Sequence, residues 1–98
     1  MTNFYVTYKF RDRETRDAFY REVKESGAPE ISRKEYGCIR YDFFYYADED
    51  NKLFLWEQWT SREAQKLHCQ QPHFLRLSSI KEKYGVETDI QVEDSCSK

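Results

Sequence analysis

The run HCQQPHF holds both histidines of the chain, His68 and His73, one on each side of Pro72. Imidazole changes charge near neutral pH, so the pair is the first candidate for acid–base chemistry. Metal chemistry is not expected from the spacing. Two histidine ligands leaving one helix face stand at i and i+4, whereas these stand at i and i+5 with a proline between them. Cys69 would project about 100° away from His68 on a helix and does not complete a ligand set. His68 falls in the last turn of one helical segment and His73 in the first turn of the next. The opposite dipole ends favour imidazolium at His68 and neutral imidazole at His73. The same two positions also serve a plainer purpose, bonding helix ends across the break, and both readings stay open.

Glu57 and Trp59 share one face of the run LFLWEQW, and Trp56 faces the other way. Tyr41 and Phe43 could stack on a flat substrate, but rings at strand spacing also build cores. The three cysteines, Cys38, Cys69 and Cys96, form neither a zinc module nor a disulfide framework. They read as reduced thiols of a cytoplasmic protein, with Cys38 and Cys69 as small buried hydrophobes.

These groups need elements to hold them. Residues 3 to 10 alternate apolar and polar side chains, the period of a strand. Asp12 caps a helix that ends near Gly27, and Pro29 suits the first turn of a short helix over about residues 30–34. Residues 38 to 46 and 53 to 59 are β-rich runs joined by ADEDNK, a hairpin. Thr60 and Glu63 have capping-box spacing for a helix to about residue 70, and Pro72 opens another to about residue 84. Residues 86 to 92 alternate as a last strand. The order is βαββαβ, an α+β ferredoxin-like pattern with a four-stranded antiparallel sheet and its helices on one face. Residues 1–92 make one domain and 93–98 a polar tail.

Rings are 17% of the chain, and over half of them fall between Tyr36 and Trp59. They alternate so that Tyr41 and Phe43 oppose Phe44 and Tyr46, which puts aromatic side chains on both sheet faces. Helices cover one face only. The other would expose more apolar area than a monomer normally does, so it is expected to meet a second copy in a homodimer with a barrel-like interior. Net charge is −2 with 35% charged residues of mixed sign and no basic cluster, which argues against nucleic acid and anionic membrane as partners. No apolar run approaches a bilayer-spanning length.

At EYGCIRYDFFYY, LFLWEQWTSREA and HCQQPHF the chain resembles the antibiotic biosynthesis monooxygenase family. The matching positions are Gly37, Glu57, Trp59, Ala64, His68, Pro72, His73 and Phe74. The resemblance implies a dimeric α+β barrel and a small aromatic or reactive-carbonyl substrate. It includes cofactor-independent oxygenases of quinols and polyphenols, which need no cofactor. His68, His73 and Glu57 are then the expected catalytic groups, with His68 as base, or His73 if the helix end raises His68 too far, and Trp59, Tyr41, Phe43 and Phe74 the expected substrate-binding rings. An isomerase of a small phosphorylated hydroxyketone is the alternative, with Arg33, Lys34 or Arg76 for the phosphate. A dimer that binds such a molecule without turnover is another. Haem degradation fits poorly, since the positions that carry its asparagine, tryptophan and histidine in similar proteins are Val6, His68 and Ser78 here.

Overall fold

The computed structural model describes residues 1–94. Eight elements follow one another: β1 (Thr2–Lys9), α1 (Arg13–Ser26), α2 (Ala28–Arg33), β2 (Cys38–Tyr45), β3 (Lys52–Trp59), α3 (Arg62–His68), α4 (Pro72–Lys83) and β4 (Glu87–Asp94). The four strands form one antiparallel sheet in the order β2-β3-β1-β4, the ferredoxin-like arrangement. Alternation is the reason the strands form: β3 shows a half-buried, buried repeat along its whole length, burying Leu53, Leu55, Glu57 and Trp59. These meet Phe19 and Val23 of α1 and Leu77 and Ile80 of α4, so the core lies between the sheet and its helices.

Helix boundaries follow their caps. The Asp12 carboxylate accepts from Thr15 N at 2.8 Å and starts α1, and Gly27 at φ 77° ends it. The second half departs from the expected cap: Ser61, not Thr60, accepts from Ala64 N at 3.2 Å and begins α3. Thr60 is instead drawn into the sheet end, donating its backbone N–H to Gly37 O at 2.8 Å. β4 runs two residues further than the period implied, so Glu93 and Asp94, expected in the polar tail, pair with Asn3 and Thr2. The rest of that tail, with Cys96, lies outside the described residues.

Two local features aim the site. Cys38 pairs with Trp59 and Arg40 with Gln58, which leaves Ile39 as an extra residue in β2. That bulge puts Cys38 and Tyr41 on the same, helix-side face although they are three positions apart. Gly37 has φ 85°, and a Cβ there would lie 2.7 Å from Ala64 Cβ and 2.8 Å from Thr60 Oγ1. Only glycine lets the loop before β2 close against α3.

The far face of the sheet carries rings, as expected. Tyr5 stacks on Phe54 with centroids 6.3 Å apart, Phe44 packs on Phe54, and the Arg40 guanidinium lies 4.4 Å from the centre of the Trp56 ring. No helix among the described residues covers them. Among the described residues no helix is long and apolar enough to cross a membrane.

Candidate active site

Glu57 is the group whose setting departs most from that of an ordinary carboxylate. It sits in the sheet directly opposite Tyr41 of β2 and Phe4 of β1, and its side chain is buried. Burial pushes its carboxyl up to about 7; the Glu35 charge adds to this, while a hydrogen bond from Trp59 and the Lys81 charge oppose it. Trp59, two residues on and on the same face, donates Nε1–H to Glu57 Oε1 at 3.0 Å. A carboxyl poised near neutrality is suited to giving or taking a proton. Lys81 of α4 is held below the usual lysine value by burial, partly offset by Glu57. Its Nζ lies 5.4 Å from the centre of the Tyr8 ring. Tyr41 is raised well above the usual phenol value, mainly by burial and then by Tyr8 and Glu57, so its hydroxyl keeps its proton.

Glu57, Lys81, Tyr8 and Tyr41 border a cavity of 120 Å³ between the sheet and α4, walled also by Phe74 and Ser78 and reaching β4 at Thr88 and Ile90; Trp59, an expected substrate-binding ring, does not line it. Dry apolar cavities of about 150 Å³ hold a benzene ring, so this one is of single-ring size. A larger concavity of 590 Å³ lies between the start of α1 and the end of α4. Its walls are mostly exposed charges such as Arg11, Glu14 and Glu82, and it holds no buried acid or base.

The histidines lie behind that wall. The His68 ring is buried among Trp59, Tyr41 and Phe74, with centroids 4.9, 5.6 and 5.2 Å away. Tyr41 and Phe74 also line the cavity; His68 and His73 do not. His68 Nδ1 meets Glu35 Oε2 at 2.5 Å, and His73 Nε2 lies 3.3 Å from the same oxygen. Burial holds the His68 imidazole below its usual value, outweighing the raising effects of Glu35. Burial thus works against the imidazolium expected at this helix end. The i, i+5 spacing did not keep the two rings apart either. Each leaves a different helix, and the break at Pro72 turns both toward one carboxylate.

Glu35 was missed. It stands in the loop between α2 and β2, 33 residues from His68, and no spacing in the sequence links them. The sequence signal for Lys81 is its position in line with Leu77, Ile80 and Tyr84 on the apolar stripe of α4. Phe43 lies apart from the cavity, packed on Tyr20 and Tyr41 with centroids 5.3 and 5.9 Å away. Arg33, a candidate phosphate group, donates Nε–H to Tyr41 O at 2.9 Å and lies near Asp42. Neither it nor Lys34 nor Arg76 lines the cavity. Cys38 is pushed up to about 11, first by burial and then by Glu57 and Glu35, so it is no activated thiolate. Cys69 is raised for the same leading reason.

Fold and site together define a small α+β domain with a ring-lined cavity between its sheet and its helices. Residues 3–78 match the antibiotic biosynthesis monooxygenase family, and the chain belongs to it. Solved structures of other proteins share the fold. A protein from Nitrosomonas europaea, described as a candidate antibiotic biosynthesis monooxygenase, is 20% identical with a TM-score of 0.85, covering 99% of this chain and 100% of that one. A conserved protein of Bacteroides thetaiotaomicron, described as a possible oxidoreductase, is 23% identical with a TM-score of 0.82 and 94% of each chain covered. Among curated proteins, sll1783 of a Synechocystis strain is 44% identical over 45 residues, which is 46% of this chain and 31% of that protein. The match thus spans about a third of that relative's length.

Proposed function

We propose that this chain is a cofactor-independent monooxygenase of a small quinol or phenol, with Glu57 as the base. The observation that carries the reading is a buried carboxyl, its pKa near 7, on the wall of a cavity otherwise lined largely by rings and aliphatic groups. The substrate supplies the electrons. Glu57 takes a proton from a ring hydroxyl, and the phenolate's electron pair passes to O2. For a quinol, one substrate molecule and one O2 give one hydroxyquinone and one water. The ring gains an oxygen atom and gives up two hydrogens, which leave in the water with the second oxygen atom. Lys81 supplies positive charge beside the developing anions, where exclusion of water strengthens its effect. Tyr41 and Phe74 offer ring faces. In this reading His68 and His73 hold Trp59 and Phe74 in place and do not touch substrate. A second copy of the chain against the ring-bearing far face belongs to the same proposal.

Oxygen uptake measured on a panel of single-ring hydroquinones and three-ring anthrones tests it. Saturable uptake is expected with the single-ring compounds only, falling at least a hundredfold in Glu57→Gln while substrate still binds. Saturable binding with no uptake would make the chain a binding module. Turnover of a phosphorylated hydroxyketone in place of uptake would favour the isomerase, which the position of Arg33 argues against.

A further inference from the structure

Glu35, His68 and His73 converge from three separate elements: the loop after α2, the end of α3 and the first turn of α4. One ligand atom from each lies within 4.8 Å of the other two. We infer that these three side chains bind a divalent transition-metal ion of the zinc class. The site goes beyond the oxygenase reading, because the two histidines stand behind the cavity wall and take no part in the reaction proposed there.

The chemistry of the donor set fits. Two imidazoles and one carboxylate are a borderline nitrogen and oxygen set that suits zinc and its neighbours, and three protein ligands leave a fourth position for water. Metal–ligand bonds of about 2.0–2.1 Å in a tetrahedron set neighbouring ligand atoms roughly 3.3 Å apart. His73 Nε2 and Glu35 Oε2 already stand 3.3 Å apart. The 2.5 Å contact of His68 Nδ1 with the same oxygen must open by about 0.8 Å to admit the ion.

Unmet bonding is the second, independent observation. Among the described residues, two buried side-chain nitrogen or oxygen atoms make no hydrogen bond: His68 Nε2, and His73 Nε2, whose 3.3 Å approach to Glu35 Oε2 lacks hydrogen-bond geometry. An orphaned buried polar atom is costly and rare. A metal bond satisfies His73 Nε2 directly. For His68 the effect runs through the tautomer. With the Nδ1 proton given to Glu35, Nε2 presents a bare lone pair to the surrounding rings. With a cation on Nδ1, Nε2 carries the proton, and an N–H against ring faces is a weakly favourable contact. Glu35 and His73 keep 17% and 11% of their side-chain surface exposed, which gives the ion a way in.

Chelator-treated protein titrated with Zn2+ by calorimetry, and with Co2+ by visible absorption, tests the site. One saturable site per chain is expected, with the strong visible bands of four-coordinate Co2+. Binding should weaken at least tenfold in Glu35→Gln and in His73→Ala, each keeping the wild-type far-UV circular dichroism, and should persist in Cys69→Ser. If His73→Ala does not fold, His73→Gln replaces it, and the half-buried Glu35→Gln decides alone if neither histidine variant folds. Absence of saturable binding by both ions overturns the inference. So does wild-type affinity in any of these folded Glu35 or His73 variants, or loss of binding in Cys69→Ser.

Discussion

A carboxyl held at about 7 inside the protein also costs stability once it ionises, and Glu57 carries that cost. Its folded value lies above its unfolded one, so the folded state holds more protons between the two values. Stability contributed by the protonated form is full below about 4.5 and is lost as pH rises through 7. The loss between pH 5 and pH 8 is about 2 to 3 kcal/mol. Glu57→Gln removes it, so the variant's melting temperature relative to wild type should climb by roughly 10 °C or more from pH 5 to pH 8. An equal difference at both pH values would mean that Glu57 is not buried as a titrating acid. At this scale the sequence exposed one side of the chemistry. Glu57 and Trp59 are legible because strand period alone puts i and i+2 on a shared face. Glu35 is not, because its tie to His68 exists only after two loops and a helix have closed.

Elements were legible where a local rule fixes them. Asp12 and Gly27 bracket α1 because a side-chain acceptor and a left-handed residue belong to helix ends wherever they occur. The start of α3 shifted by one because Thr60 and Ser61 are both competent caps, and the sheet claimed Thr60. The bulge at Ile39 left no mark in the sequence either, since an extra residue in a strand follows from pairing and not from composition. Gly37 is where these features meet. Gly37→Ala places a methyl in the left-handed region and against both Ala64 and Thr60. It should cost about 1–3 kcal/mol in urea unfolding. A midpoint unchanged from wild type would show that the loop before β2 is free to move away from α3.

For the whole molecule, ring alternation predicted a sheet with aromatic side chains front and back, and the sheet has them. The helices bury Tyr8, Phe19, Tyr41 and Trp59, while Phe44 on the far face stays 43% exposed. A second copy laid on that face would cover it, so sedimentation at micromolar concentration should give the mass of two chains. Trp56→Glu, which adds a charge to the far face without touching the cavity, should give the mass of one. A wild-type monomer would remove the dimer from the proposal and leave the cavity, which one chain builds, in place. The central claim is that Glu57 takes the substrate's proton inside that cavity, and the pH dependence of oxygen uptake tests it most directly. The initial rate with a single-ring hydroquinone should rise tenfold per pH unit below about 7 and level off above it, and Glu57→Gln should remove that rise along with most of the rate. A rate that is flat between pH 5 and 8, or that keeps its pH dependence in Glu57→Gln, would contradict the account.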